Sequence, residues 1–398
     1  MKRPRILFVA LPDSVHTARW ISQLAGLGWD VHLFASSDGV PHPSLRHVTV
    51  HSLSIYRTRD MRPSVRVFGL WPWQVGAQVL LRALREFRLG RFLHVMWLAC
   101  LIRWLKPDII QTLEIQHAGY LTLAAKPYAG KYFPKWIVTN WGSDLYLFSR
   151  LAAHFPRIKA VLAACDYYSC ECQRDVQLAR QLGFKGIVFP VVPNSGGFDL
   201  DRIRHLQQPG SVSSRRVVVV KGYQHWAGRA LVALRAIALC SNELADYEIA
   251  VYLASSDVKV SAELLAVDTG LCVRTVPPCS HDEMLRLFGS ARIYIGLSIS
   301  DAISTSLLEA MVMGAFPIQS HTACADEWVV DGETGMLVPP EDPEIVAAAL
   351  RRALADDALV DHAAIRNGCL ARERLAVQVI QPQVVDMYRN LLTSVASR

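Results

Sequence analysis

The chain has 398 residues, with 42 Lys+Arg against 35 Asp+Glu, 52% hydrophobic and 19% charged residues. That composition excludes a disordered or collagen-like chain, and the length favours two domains of about 200 residues, because single cores stop growing near roughly 250 to 300. The formal charge of +7 is concentrated between Arg57 and Lys106, where ten basic residues meet two acidic ones, so a chain-wide nucleic-acid footprint is disfavoured and no nucleic-acid partner is expected.

From residue 5 the pattern reads strand, turn, helix, strand: RILFVA, then Pro12-Asp13-Ser14, then HTARWISQLAGLG, then DVHLFA. Trp20, Leu24 and Leu27 recur at helical spacing, and Gly28 stands where a helix would stop. The opening apolar run is too short for a secretory leader and reads as the first strand. Next comes the basic stretch, in which Arg57, Arg59, Arg62, Arg66, Arg82, Arg85, Arg88 and Arg91 are interleaved with Trp71, Trp73, Trp97 and Trp104. Tryptophan and arginine together suit an anionic membrane surface, although arginines three apart spread over a broad arc of a helix.

RWLKPDIIQTLE, WIVTNWGSDL, YYSCECQRDVQLARQLG and GIVFPVVP continue the alternation of short apolar runs with helical segments, which means a parallel sheet covered on both faces. Between 190 and 215 the texture turns to Pro, Gly, Ser and Gln, and the domain boundary is placed there. A second series starts at RVVVVKGY and runs through GRALVALRAIALC, YEIAVYLA, CVRTVPP, HDEMLRLFGS, RIYIGLS, SLLEAMVMG and FPIQS, and the last forty residues read as helical. No uncharged stretch reaches the roughly 18 residues of a spanning helix. Nine cysteines without a Cys-x-x-Cys pair or zinc spacing fit a reduced, cytoplasmic setting. No Gly-x-Gly-x-x-Gly follows the first strand, which argues against a dehydrogenase.

The most informative stretch is IGLSISDAISTSLLEAMVMGAFPIQS, 295 to 320. A strand ends near Leu297, Ser304 or Thr305 can cap a helix running to Met313, and Gly314 stops it. The amides near Ser304, Thr305, Ser306 and Leu307 then point out of a helix start at the carboxyl end of a parallel strand, where a diphosphate is expected. Asp301 and Glu309 lie eight apart, a spacing that lets one carboxylate reach the ligand's far end while the other accepts from a ribose diol.

This segment resembles the Glu-x7-Glu region of retaining, nucleotide-sugar-dependent glycosyltransferases of the GT-B fold, family 4, the glycosyl transferases group 1. The resemblance extends to VVPNSGGFD, similar to the family's Pro-Asn-Gly-x-Asp hinge, and to DGETGMLVPPEDPE, which follows its closing pattern. Three departures stand out. Asp301 replaces the first glutamate, Ala302-Ile303-Ser304 replaces Gly-Phe-Gly, and the family's basic pair is represented by Lys221 and Arg229 in exchanged order.

The resemblance implies an α/β architecture of two Rossmann-like, doubly wound domains facing a central cleft. Residues 1–195 would form the acceptor domain, with 380–398 packed back on it, and 196–379 the nucleotide-sugar domain. It implies that Lys221 and Arg229 neutralise the leaving diphosphate, that Asp301 holds the transferred sugar and Glu309 the ribose, and that main chain near Val276 to Cys279 meets the base. His117 is read either as a catalytic group or as a helix-start histidine. Asp13 and His16 in the first loop, with Asp144, fall on the acceptor side, while a cap or turn role is preferred for Glu114 and Asp144. Asp199-Leu200-Asp201 is read as a helix cap, with no metal or other cofactor required. The expected substrates are a UDP- or GDP-sugar and a glycan or lipid-linked glycan acceptor in bacterial polysaccharide or glycolipid assembly. The setting is the cytoplasm, peripheral to the inner membrane face through residues 57–106. Two rival readings are a non-hydrolysing sugar-nucleotide epimerase and a non-catalytic relative that binds a membrane or a partner.

Overall fold

The computed structural model describes residues 3–52, 64–68 and 89–396. The chain divides into two compact units, Met1–Gly196 with Gln381–Arg398, and Gly197–Ile380. Each is built on one parallel sheet.

In the first unit the order is β1 (Arg5–Ala10), α1 (Val15–Ser22), β2 (Asp30–Ala35), β3 (Val48–His51), β4 (Val65–Phe68), α2 (Leu89–Leu105), β5 (Ile109–Leu113), α3 (Tyr120–Ala129), β6 (Lys135–Thr139), α4 (Phe155–Ala164), β7 (Tyr167–Ser169), α5 (Gln173–Gln181) and β8 (Ile187–Val188). The strands lie side by side as β4-β3-β2-β1-β5-β6-β7-β8. Chain order reverses between β1 and β5, so the loops that follow these two strands flank the switch point where open α/β sheets bind ligands. Strands buried on both faces carry near-continuous apolar runs: Ile6 to Ala10 and Trp136 to Val138 have no solvent exposure. The first helix is shorter than its apolar spacing suggests. Its N-cap is Ser14, whose hydroxyl accepts from the His16 amide at 3.2 Å, and it stops at Ser22 because the chain turns through Gly26 and Gly28, both at positive φ.

The second unit runs α6 (Leu200–Arg204), β9 (Val217–Lys221), α7 (Ala230–Ala238), β10 (Glu248–Tyr252), α8 (Ser256–Thr269), β11 (Cys272–Val276), α9 (His281–Ser290), β12 (Ile293–Gly296), α10 (Thr305–Val312), β13 (Phe316–Ser320), β14 (Met336–Val338), α11 (Pro343–Ala355) and α12 (Asp357–Arg374). Its sheet order, β11-β10-β9-β12-β13-β14, reverses between β9 and β12. Two guanidinium groups are enclosed within the fold. Arg292 is 1% exposed and donates to the carbonyls of Ser213, Ala353 and Leu354, and Arg215 donates to those of Ala291 and Met313, so each charge is met by peptide oxygens. Asp199 caps α6 by accepting from the Arg202 amide at 3.1 Å.

The chain closes with α13 (Val377–Ala396). Within the first unit, Tyr388 of this helix accepts from Trp20 Nε1 at 2.9 Å and donates to Gln111 Oε1, and Gln381 donates to the Gln23 carbonyl at 3.0 Å. Of the basic stretch, Arg57, Arg59, Arg62, Arg82, Arg85, Arg88, Trp71 and Trp73 lie outside the described residues. Among the described residues, no helix is long and apolar enough to cross a membrane.

Candidate functional site

Lys221 ends β9 and Gly296 ends β12, so the β9/β12 switch point of the second unit brings Lys221 to the loop that carries Asp301. Ser304 is the N-cap of α10, in extended conformation, and Lys221 Nζ lies 3.4 Å from its Oγ. The amides of Thr305, Ser306 and Leu307 open this helix, and the first-turn amides of a helix have no intrahelical acceptors. Beneath them lie the fully buried phenols of Tyr294 and Tyr252, beside Ser304 and Ser306; burial pushes both phenols up, so they stay neutral hydroxyls under the helix start. A lysine and a helix N-terminus at one point make a strong anion site.

Glu309, one turn further along α10, is 7% exposed, and its Oε1 lies 2.8 Å from Nε2 of His281, the first residue of α9. Its position there is set by the Ser280–Glu283 capping box that starts α9. Asp301 is half-buried, and one of its oxygens accepts from the Ala302 amide at 2.9 Å. Val276 ends β11 on the same carboxyl edge of the sheet as Tyr252 and Lys221.

Arg229 precedes α7. Its Nη1 donates to the carbonyls of His225, Ala227 and Gly228, and its Nε meets Glu341 at 2.9 Å. The guanidinium therefore holds the loop from its inside. Burial first, then the charges of Lys221 and Arg229, hold His225 below its ordinary value, so both cations act at this end of the sheet.

In the first unit, the loop after β5 is the more constrained. Glu114 sits at φ 83°, ψ 157°, a backbone region almost confined to glycine, which costs about 1 to 3 kcal/mol. Its carboxylate accepts from the amides of His117 and Ala118 and thereby starts a single π-turn, Ile115–Gly119. Asp144, 6% exposed, accepts from the amides of Ile115 and Trp141 at 2.9 Å each. Burial, reinforced by the charge of Glu114, pushes its carboxyl well above the usual range. Both carboxylates thus hold main chain in place, as turn and cap residues do. His117 is what the turn displays: its side chain is 63% exposed, with Nδ1 3.4 Å from Glu114. In the loop after β1, Asp13 is exposed with its carboxylate against Gly39, and His16 meets the edge of Trp141 at 5.7 Å between ring centroids.

His281 and the tyrosines under α10 are absent from the sequence-based site. His281 has a signal in hindsight, a histidine just inside a Ser-x-x-Glu capping box that follows a strand, but pairing with a residue 28 positions away is not readable from spacing.

Two family models match the chain. Residues 214–356 match the glycosyl transferases group 1, and residues 5–69 and 75–170 match the glycosyl transferase 4-like family, together about three quarters of the chain. The chain is a glycosyltransferase, with a group 1 domain at residues 214–356. Among curated relatives, D-inositol 3-phosphate glycosyltransferase of a Nocardioides species is 33% identical over 122 residues, 30% of this chain and 26% of that protein. The protein of the same name from Corynebacterium urealyticum is 27% identical over 137 residues, 33% of this chain and 31% of its own. The matched segments span less than a third of those relatives.

Solved structures match over nearly the whole chain at low identity, and so bear on the fold alone. Sucrose-phosphate synthase from Thermosynechococcus elongatus superposes with a TM-score of 0.68 at 18% identity, over 99% of this chain and 100% of that one. Anabaena HepE, solved in complex with UDP and glucose, gives 0.67 at 15% identity, over 97% of this chain and 100% of that one. The glycosyltransferase therefore has the GT-B architecture of two Rossmann-like domains.

Proposed function

We propose that this glycosyltransferase moves a sugar from a nucleotide diphosphosugar to an acceptor hydroxyl with retention of configuration, in the assembly of a polysaccharide or glycolipid. The observation that carries the reading is the convergence of Lys221 with the open amides of α10 at the β9/β12 switch point. A UDP- or GDP-sugar is the donor class, in keeping with HepE and with the trehalose-6-phosphate protein of E. coli bound with UDP-2-fluoro glucose, which shares the fold. In this reading Lys221, the amides of Ser304 to Leu307 and, from within its loop, Arg229 stabilise charge as the diphosphate departs. Glu309 holds the ribose, Asp301 the transferred sugar, and main chain from Val276 the base. The acceptor belongs to the switch-point loops of the first unit, with Asp13, His16 and His117.

The mechanism proposed is a same-face attack in which the leaving phosphate takes the acceptor proton, so the anion site carries most of the catalytic burden. Because the leaving group's charge is met by cations and amides of the chain itself, turnover is expected to survive EDTA. Proton NMR of the product tests the reading: an anomer matching the donor supports it, and an inverted anomer contradicts it. Donor epimerised without an acceptor would favour the epimerase alternative.

The reading includes a peripheral membrane contact on an anionic, inner-face surface. It is supported by the described part of the basic stretch, where Trp104 is 74% and Phe92 50% exposed on α2, and by α3 and the turn after it. There Tyr128 meets the edge of Phe92, and the cations of Arg103, Lys106 and Lys131 lie 5.5 to 5.8 Å from the Tyr132 ring. Rings at headgroup depth beside basic side chains suit anionic lipid.

A further inference from the structure

The segment between β9 and α7 is tied down along its length yet presents aromatic rings to solvent. Gly222 donates to the Tyr252 carbonyl at 2.7 Å, Ala230 to that of Tyr223 at 3.1 Å, and Arg229 to that of Leu297 at 3.0 Å. In return, Ile299 donates to the Ala227 carbonyl at 2.9 Å, which clips the loop to the strand of chain that leads to Asp301. Gln224 Oε1 caps the start of α7 by accepting from Leu231, and Arg229 binds three of the loop's carbonyls. Gly228 completes the closure, because a Cβ there would lie 2.2 Å from the Tyr223 oxygen.

At the tip, Tyr223, His225 and Trp226 form a row, with ring centroids 5.2 and 5.3 Å apart in sequence. Lys221 Nζ lies 5.0 Å from the Tyr223 ring at the base of the row, while Tyr223 is 40% and Trp226 57% exposed. Loop residues normally expose large rings singly and mobile. A row held on a braced loop has lost its conformational entropy in advance, which is what a binding surface requires.

The surroundings select the ligand. Lys221 Nζ lies 5.0 Å from the Tyr223 ring, Arg229 Nη1 donates to the His225 carbonyl at 3.3 Å, and the bond from Ile299 to Ala227 ties the loop to the segment that carries Asp301, so apolar ring faces stand among charged hydrogen-bonding groups. A lipid chain gains nothing from such neighbours. A pyranose offers the matching pattern, an apolar face of C–H groups with hydroxyls around its rim.

We propose that Tyr223, His225 and Trp226 form a stacking platform for the transferred pyranose of the donor, with Trp226 its principal face. The inference rests on the diphosphate reading of Lys221 and α10, which is what places a sugar beside this loop. It adds a group that distinguishes the nucleotide sugar from the bare nucleotide.

Calorimetry of the wild type and Trp226→Ala with UDP and with UDP-glucose, and likewise with GDP and GDP-mannose, tests it. Trp226 is exposed, so the variant should melt with the wild type. The platform predicts that W226A leaves the nucleoside diphosphate Kd unchanged and weakens the nucleotide sugar roughly three- to tenfold, with Trp226→Phe recovering most of the loss. Unchanged affinity for both ligands, or an equal loss for both, overturns the platform. Failure of the wild type to bind any of the four overturns the diphosphate reading beneath it.

Discussion

His281 Nε2 and Glu309 Oε1 lie 2.8 Å apart, joining the first residue of α9 to the buried face of α10. In the proposed reading Glu309 accepts from a ribose diol; a 7% exposed carboxylate in that role has to be held in one rotamer, and the imidazole is placed to do that. His281→Ala is predicted to weaken nucleoside diphosphate binding about tenfold, the scale of one hydrogen bond to a charged group. It should also reduce discrimination against the 2′-deoxy nucleotide, whereas His281→Gln should restore part of both. Calorimetric titration with UDP and 2′-deoxy-UDP reads the effect; discrimination equal to wild type in H281A would remove the positioning role.

His117 is predicted to titrate above its ordinary value of about 6.5. The hydrogen bond that the ring donates to Glu114 is the largest cause, burial opposes it, and the Glu114 charge adds to it. Since the folded state raises this pKa, the pair's contribution to stability is fully present below the ordinary histidine value and is lost as pH rises through the folded one. An NMR titration of the ring protons should show the raised midpoint, and Glu114→Gln should lower it. The same midpoint in both proteins would sever the pair.

Asp144 is predicted to matter for folding before it matters for chemistry. Asp144→Ala strands the buried amide of Ile115, at about 1 to 3 kcal/mol, and leaves the half-buried amide of Trp141 without its acceptor. Asp144→Asn keeps an acceptor oxygen and removes repulsion from Glu114, and so should cost much less. Urea unfolding of the two variants separates these outcomes; equal losses would contradict the acceptor role.

Much of the fold is legible because buried parallel strands write short apolar runs bounded by turn residues. HDEMLRLFGS and FPIQS coincide with α9 and β13 residue for residue. The helix α8 is invisible to the same reasoning: Val260, Leu264 and Val267 on its outer side are more than half exposed while Val258, Ala262 and Leu265 are buried, so its sequence shows no contrast between faces. In the site, the Ser304 cap and the lysine at a strand end are local and readable. Pairs formed by tertiary approach, such as His281 with Glu309 or Asp144 with the Ile115 amide, leave no spacing to find. The occupation of Arg229 by three carbonyls of its own loop is likewise a product of the turn, which Gly228 makes possible.

The membrane surface is predicted to show as salt-sensitive sedimentation with anionic vesicles, weakened when Arg82, Arg85 and Arg88 are neutralised and when Trp104 is replaced by Ala. Equal sedimentation with neutral vesicles would leave the patch as ordinary surface.

Lys221→Ala should reduce turnover about 10² to 10³-fold at unchanged melting temperature, since Lys221 sits at a strand end outside the core. The most direct measurement is a crystal structure of the wild type soaked with UDP or GDP. The diphosphate is expected within hydrogen-bonding distance of Lys221 Nζ and the amides of Thr305 to Leu307, with the ribose at Glu309. A nucleotide bound at another place, leaving the start of α10 without an anion, would contradict it.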